Sequence, residues 1–211
     1  MQTKIYRTDV NAVGFDGLEY CATLLKQGGT VALPTETVYG IAANAFDVCA
    51  VEKLYIAKNR PPVKPISLCV SSIEQAAEVA VLDDTARKLY NAFMPGPLTL
   101  ILPKKACVPD IVTAGGDTVG IRVPAHPLVT ALSKLCGVPL ALTSANLSGM
   151  PSPISGEEVV ASLNGRVDAI IDSGAVALGK ESTVLSLVGT PKILRSGALD
   201  KETIGKYIDL E

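Results

Sequence analysis

The chain has 211 residues, 48% of them hydrophobic and 4% aromatic, with a formal net charge of −2 and a pI near 5.5. This apolar content supports a buried core in one domain, and the weakly acidic balance excludes a surface that coats itself with nucleic acid by neutralising phosphates. Five cysteines without a Cys-x-x-Cys pair fit scattered core positions, and residues 1–13 lack a signal-peptide pattern, so we expect a cytoplasmic protein without a membrane span.

The first half of the chain alternates helix and strand patterns. Apolar residues at helical spacing predict a helix over residues 18–27, and the stop at Gly28 and Gly29 precedes a predicted strand over 30–33. Asp47 can cap a helix that runs to Lys58 and is ended by Pro61. The next patterns predict a strand over 66–70, helices over 72–79 and 83–93, and a strand over 98–102.

The second half continues the alternation and ends in two strands. Strands are predicted over residues 119–123, 139–143, 168–171, 183–188 and 192–194, and helices over 127–135, 157–163 and 201–208. The last two strands are joined by a linker short enough for a hairpin, so part of the sheet is antiparallel. The pattern predicts an α/β fold with a mixed parallel/antiparallel sheet flanked by helices, as a single domain over 1–211.

Several cations stand where an anion could bind. Lys58, Arg60 and Lys64 lie at a predicted helix end, where they could balance a polyphosphate or simply form a solvated helix terminus favoured by the helix dipole. Arg122 interrupts an apolar strand and needs an anionic partner, either a ligand or one of the 21 acids. Arg195 ends a strand before Ser196 and Gly197, so it faces either an anion or solvent.

Hydroxyl and amide groups follow the apolar strands, which is where ligands collect in open α/β sheets. Taken singly, each of these groups is more typical of turns and caps. The candidates are Thr35, Thr37, Ser144, Asn146, Ser148, Ser182 and Thr183.

The motifs that the sequence lacks exclude several kinds of metal and nucleotide site. His126 is the only histidine, which excludes a histidine-rich metal centre, and its place before Pro127 fits the start of a helix. The chain contains neither the P-loop pattern nor the Gly-x-Gly-x-x-Gly fingerprint. Any nucleotide site must therefore be of another type.

Taken together, the motifs resemble the YrdC-like threonylcarbamoyl-AMP synthase family. The segments that carry the resemblance are LPTETVYG at 33–40, KNRP at 58–61, PGPLT at 95–99, GIRVP at 120–124, TSANLSG at 143–149, STV at 182–184 and RSG at 195–197. The resemblance implies a twisted mixed sheet around a concave basic cavity. It also implies a nucleotidyltransferase, an L-threonylcarbamoyladenylate synthase that converts L-threonine, bicarbonate and ATP into threonylcarbamoyl-AMP and pyrophosphate for modification of adenosine in tRNA.

The same resemblance assigns site residues. It implies ATP binding by Lys58, Arg60, Lys64, Thr118, Ser144, Asn146, Ser152 and Arg195, and threonine binding by Thr35, Arg122, Leu142 and Ser182. No side-chain nucleophile and no organic cofactor are expected, while Mg²⁺ is expected with ATP, and tRNA and downstream threonylcarbamoyl-transfer proteins are expected partners. Longer members carry a C-terminal domain that we do not expect here, and Cys69 stands where some members have histidine.

Two other functions remain open at this point. The same cations could hold a phosphate backbone in a module that binds double-stranded RNA or tRNA, although the few aromatic residues offer little base stacking. A carbamoyl-adenylate-forming enzyme is the second alternative, because the family has a related domain in the hydrogenase-maturation carbamoyltransferase.

Overall fold

A computed structural model of the chain describes residues 2–12 and 14–211. Met1 and Val13, the two ends of the segment that lacks a signal-peptide pattern, lie outside the described residues. The described strands are β1 (Lys4–Arg7), β2 (Val31–Leu33), β3 (Gly40–Asn44), β4 (Ser67–Cys69), β5 (Leu98–Pro103), β6 (Thr118–Arg122), β7 (Leu140–Ser144), β8 (Ala169–Asp172), β9 (Thr183–Ser186) and β10 (Lys192–Arg195). The described helices are α1 (Asp16–Lys26), α2 (Val48–Lys58), α3 (Ile73–Val79), α4 (Asp84–Phe93), α5 (Asp110–Thr113), α6 (Pro127–Cys136), α7 (Gly156–Leu163) and α8 (Lys201–Gly205).

The strands form one mixed sheet, which confirms the predicted fold class. Their order is β1-β8-β2-β3-β7-β4-β6-β5-β9-β10. β1 and β2 run parallel to β8, β4 to β6 and β5 to β9, while the remaining neighbours are antiparallel. The predicted hairpin is the β9–β10 pair.

Three short elements were not predicted, and several predicted ends differ from the structure. β3 has the sequence GIAAN, whose small residues lack the β-branched enrichment of a strand, and β1 and α5 have four residues each. α8 ends at Gly205 rather than 208, and β9 ends at Ser186 rather than 188. Two cysteines also depart from expectation, because Cys49 and Cys107 are exposed whereas Cys21, Cys69 and Cys136 are buried.

The two faces of the sheet are covered differently. One face packs against α2, α3, α4, α7 and α8 in a core that contains Leu54, Leu89 and Ile121. On the other face, α1 and α6 pack through Leu25 and Leu132 over β8, β2, β3, β7 and the end of β4. These two helices leave the part of this face over β5, β6 and β9 open, and a cavity lies there.

Strand register places the polar candidates on this open face. Residues that pair across neighbouring strands share a face of the sheet, and Arg122 pairs with Cys69, Ile101 with Gly120, and Ser144 with Gly40. Because side chains alternate along a strand, the residues between these positions point into the core. No helix in the described part of the chain is long and apolar enough to cross a membrane.

Helix α2 delivers two of the predicted cations to the site. The Asp47 carboxylate accepts a hydrogen bond from the Ala50 amide at 3.1 Å, which satisfies a free donor at the helix start. At the other end Asn59 adopts the left-handed conformation with φ 49° and closes the helix directly after Lys58. Because Asn59 lies between them in this conformation, the side chains of Lys58 and Arg60 point in different directions although they are two residues apart.

Replacing Asp47 with alanine should destabilise the fold by about 1 kcal/mol, because the first turn of α2 loses its cap. Chemical denaturation of Asp47→Ala measures this loss, and Asp47→Asn, which keeps an accepting oxygen, is the matched control. Equal losses for the two variants would show that the carboxylate charge, not the cap bond, matters.

Candidate active site

The cavity on the open face has a volume of about 410 Å³. Its walls come from the segment after β2, the turn after α2 and the segment that leads into β9, and its floor is formed by strands β3 to β7 and β9. Seven of the predicted site residues line it: Thr35, Arg60, Arg122, Leu142, Ser144, Ser182 and Arg195. The fold therefore brings together side chains that are up to 160 positions apart in the sequence, from 35 to 195.

Two glycines in the strands below the cavity leave no room for a side chain. A Cβ on Gly40 would lie 2.7 Å from Cδ1 of Leu142, and a Cβ on Gly120 would lie 2.5 Å from the Ser67 hydroxyl. Both distances are too short for any side chain, so a larger residue would displace the lining. These positions preserve the volume of the cavity.

Arg122 is held by three oxygens of the protein. Its Nη2 donates to Glu36 Oε1 and to Thr37 Oγ1, both at 2.8 Å, and its Nε donates to the Gly96 carbonyl at 3.3 Å. The Arg122 and Glu36 side chains are only 11% and 10% exposed. Arg122 is thus paired with an acid of the protein, as one alternative predicted. It also lines the cavity, where it could meet a ligand, as the other alternative predicted.

The Thr35 hydroxyl is fully engaged by its own loop. It donates to the Val38 carbonyl at 2.6 Å and accepts from the Thr37 and Val38 amides, both at 3.2 Å. Because its single proton goes to Val38, the 2.8 Å contact with Thr37 Oγ1 has Thr37 as the donor. Thr35 therefore lines the cavity with a hydroxyl that has no spare proton.

Arg195 and Ser182 meet on another wall. Arg195 forms an ion pair with Glu181 at 2.5 Å and donates to the Ser182 carbonyl at 2.9 Å and hydroxyl at 3.2 Å. The Ser182 hydroxyl also lies 2.9 Å from that of Thr99. Ser152 is absent from the lining but donates to the other Glu181 oxygen at 2.5 Å. Glu181 thus binds Arg195 and Ser152, which were both predicted to bind ATP.

Lys58 is buried, so the alternative that the cations form a solvated helix terminus is wrong for this residue. It is 1% exposed, and its ammonium donates to the Ser144 carbonyl, to the Asn146 carbonyl at 2.7 Å and to Asn146 Oδ1 at 3.2 Å. Burial, followed by the nearby Arg60 charge, lowers the pKa of Lys58 to about 7. Lys58 and Asn146 do not line the cavity but support the 144–146 segment from behind.

Arg60 lies across the next turn, whereas Lys64 and Thr118 are peripheral. Arg60 donates to the Lys64 and Pro65 carbonyls at 3.3 and 2.8 Å, and burial lowers its pKa. Lys64 is exposed, and only its backbone takes part in this contact. Thr118 shares the face of Gly120 and Arg122 but lies beyond the lining.

The cysteine and histidine near the cavity are not poised for ionisation. Cys69 lines the cavity 3.5 Å from the Ser133 hydroxyl, and burial raises the pKa of its thiol to about 11. His126 occupies the position before α6, as predicted, and burial lowers its pKa. Within residues 2–12 and 14–211, no group of three or more histidine, cysteine or acidic side chains could hold a metal ion.

Comparison with known proteins identifies the family of the chain. Residues 23–197 match the model of the Sua5/YciO/YrdC family, which carries the description "Telomere recombination". The chain belongs to this Sua5/YciO/YrdC family. The match spans every lining residue of the cavity.

Three Sua5/YciO/YrdC relatives illustrate the similarity. The chain is 43% identical over 193 residues to the threonylcarbamoyl-AMP synthase of Pyrococcus abyssi and 44% identical over 217 residues to that of Bacillus subtilis, covering 90% and 99% of this chain. The crystal structure of P. abyssi Sua5 complexed with L-threonine superposes with a TM-score of 0.92 at 38% identity, covering 100% of this chain and 63% of that one. The chain spans only 57% and 62% of the length of the two curated relatives.

Sequence reasoning missed the two acids of the Sua5/YciO/YrdC site. Glu36 and Glu181 each neutralise an arginine that lines the cavity. Arg122 signalled that a partner acid was needed, and Glu36 lies within the LPTETVYG segment, but the sequence did not show which of the 21 acids pairs with Arg122. The lining includes three arginines and one carboxylate, with two of those arginines paired, so the basic character of the cavity stays a prediction.

The lowered pKa of Lys58 predicts a pH-dependent stability. Between about pH 7 and pH 10 the unfolded lysine still binds a proton that the folded one has lost, so the contribution of Lys58 to the free energy of unfolding should rise with pH. Above about pH 8.5 the buried thiols of Cys21, Cys69 and Cys136, whose pKa values burial raises, contribute with the opposite sign. Lys58→Met should remove this rise. It should also lower the stability by about 1–3 kcal/mol, since the Ser144 and Asn146 oxygens lose their donor.

Denaturation at several pH values between 7 and 8.5, below the range in which unfolded thiols ionise, measures both effects. Lys134→Met, which removes an exposed lysine of α6, is the matched control and should keep the wild-type slope. A slope that Lys58→Met leaves unchanged would assign the pH dependence to other groups.

Proposed function

We propose that the chain catalyses the formation of threonylcarbamoyl-AMP and pyrophosphate from L-threonine, bicarbonate and ATP, for tRNA modification. The observation that carries the proposal is the cavity itself, in which Arg60, Arg122 and Arg195 come together with hydroxyls of Ser144 and Ser182. Its volume of about 410 Å³ lies within the range of small-molecule sites. Relatives named threonylcarbamoyl-AMP synthase at 43% and 44% identity support the substrate class.

Threonine is proposed to bind beside Arg122. A carboxylate is the anion that a partly buried guanidinium binds best, and the P. abyssi Sua5 structure holds L-threonine. The open nitrogen of Arg122 would take the carboxylate, Ser182 would meet the substrate hydroxyl, and Leu142 would pack against the methyl group. Thr35 would contribute by shaping the wall, because its proton is committed to Val38.

ATP is proposed to bind at the remaining cations. Arg60, Arg195 and Ser144 line the cavity and would contact the phosphates. Lys58 and Asn146 would act from behind the 144–146 segment, and Lys58 could reach a phosphate only by giving up one of its present acceptors. Ser152 would become free if Glu181 moved, while Lys64 and Thr118 remain proposed contacts at the edge of the site.

The proposed reaction needs positioning and charge compensation rather than a side-chain nucleophile. The threonine nitrogen forms a bond to the carbon of CO₂ derived from bicarbonate and loses a proton. A carbamate oxygen then attacks the α-phosphorus in line while the bond to the bridging oxygen breaks and pyrophosphate leaves. The arginines of the lining would hold the two anions together and offset the charge that develops on the phosphate.

Mg²⁺ is proposed to accompany ATP. Glu181 is the one carboxylate in the described lining, and ATP sites commonly hold Mg²⁺ through one or two carboxylates plus the phosphates. Glu181 could serve once it releases Arg195, and the bound ion would then add positive charge beside the phosphates. A single YrdC-like domain over 1–211, a cytoplasmic location, and tRNA or a downstream transferase as partners are also parts of the proposal.

The direct test is to incubate the purified chain with ATP, bicarbonate and either threonine, serine or no amino acid. Pyrophosphate release and an adenylate of the mass of threonylcarbamoyl-AMP should depend on threonine. Arg60→Met should lower kcat/KM for ATP by about tenfold or more, because one charged contact to phosphate is lost. Arg87→Met is the matched control, since Arg87 is exposed outside the cavity.

The other outcomes identify the other functions. RNA affinity that falls steeply with salt, without pyrophosphate release, would favour the nucleic-acid module. Adenylate formation from carbamoyl phosphate but not from threonine and bicarbonate would favour the carbamoyl-adenylate enzyme. Either result would overturn the proposed function.

A further inference from the structure

The guanidinium of Arg122 has most of its donors already used. Nη2 donates to Glu36 and Thr37, and Nε donates to the Gly96 carbonyl. No described residue accepts a hydrogen bond from Nη1. Nη1 is also not fully buried, since the buried atoms that lack a partner are Glu36 Oε2 and His126 Nδ1. Nη1 is thus the only nitrogen of Arg122 that remains available to a ligand in the cavity.

The hydrogen bonds behind Arg122 run in one direction. Arg122 donates to Thr37, Thr37 donates to Thr35, and Thr35 donates to the Val38 carbonyl. Thr37 is 0% exposed and Thr35 is 2% exposed, so water does not compete for these bonds. Since each hydroxyl has a single proton, the Thr37 oxygen can only accept from Arg122. The chain of bonds fixes the plane of the guanidinium from one side.

The hydrogen bond from Arg122 is the link between the Glu36 side chain and the cavity lining. Its Oε1 binds Nη2, whereas its Oε2 is buried without a hydrogen-bond partner among the described residues. Glu36 does not line the cavity, so it does not touch a ligand there. A carboxylate that is buried with one oxygen unsatisfied is costly to keep, which calls for a role beyond packing.

We infer that Glu36 and Thr37 are positioning residues that orient Arg122, so that the carboxylate of the amino-acid substrate is bound through Nη1 alone. The inference deepens the proposed function and rests on it for the identity of the ligand. The usual two-nitrogen grip of arginine on a carboxylate is then closed to the substrate, because Nη2 and Nε already donate to oxygens of the protein. Recognition of the carboxylate depends on the orientation of one nitrogen.

Binding measurements on matched variants test the positioning role. Thr37→Val removes the acceptor and keeps the shape, whereas Thr37→Ser keeps the hydroxyl. Calorimetry should give a Kd for L-threonine that is about tenfold weaker in Thr37→Val and Glu36→Gln and near wild type in Thr37→Ser, as expected for loss of a hydrogen bond to a charged group. The Kd for ATP and the Kd for threonine amide, which lacks the carboxylate, should stay within about twofold of wild type.

A matched control separates orientation from charge and from folding. Asp110→Asn removes an exposed carboxylate that pairs with Lys104 outside the cavity and should change neither Kd. Tighter threonine binding by Glu36→Gln would show that Glu36 only weakens the charge of Arg122, and would overturn the inference. Equal losses for threonine, threonine amide and ATP would show a general structural role and would also overturn it.

A second measurement does not depend on the substrate. Nuclear magnetic resonance of the chain with ¹⁵N-labelled arginine should show a protected Arg122 side-chain signal, assigned by its absence in Arg122→Lys. Glu36→Gln and Thr37→Val should lose that protection and Thr37→Ser should keep it; unchanged protection would refute the orienting role. If the wild-type chain binds no threonine, the proposed function fails, while the signal still decides whether Glu36 and Thr37 orient Arg122.

Discussion

The ion pair between Arg122 and Glu36 is the interaction on which the site depends. Both side chains are about nine-tenths buried, and a buried guanidinium without a partner would cost several kcal/mol. The pair joins the end of β6 to the segment after β2, which are distant in the sequence, and thereby fixes one wall of the cavity.

The arginines that line the cavity, and Lys58 beside it, already have oxygen partners from the protein. Lys58 has the Ser144 and Asn146 oxygens, Arg60 has two carbonyls, and Arg195 has Glu181. These partners hold the side chains in place before any ligand arrives, which lowers the ordering cost of binding. They also compete with an anion, and the exposed Arg195–Glu181 pair competes least because solvent weakens it. Displacement is therefore easiest at Arg195 and hardest at Lys58.

Hydrophobic periodicity and caps were enough to predict most elements but not the tertiary choices. The helix from Asp47 to Lys58 was predictable because an N-cap, an apolar stripe and a following proline agree. β3 was not, because its GIAAN sequence becomes a strand only through pairing with β2 and β7. Most site residues stood out as cations in apolar surroundings or as polar groups after strands, but their roles came from the family motifs, since hydroxyls after strands are more typical of turns.

The direction in which Lys58 points could not be predicted, and this changes how the motif is understood. A cation in the last turn of a helix is normally solvated, and its spacing from Arg60 gives both residues the same apparent role. The left-handed Asn59 instead ends the helix so that the Lys58 ammonium lies beneath the 144–146 segment while Arg60 enters the cavity. Two similar charges two residues apart thus serve different purposes, one ordering the wall and the other facing the ligand.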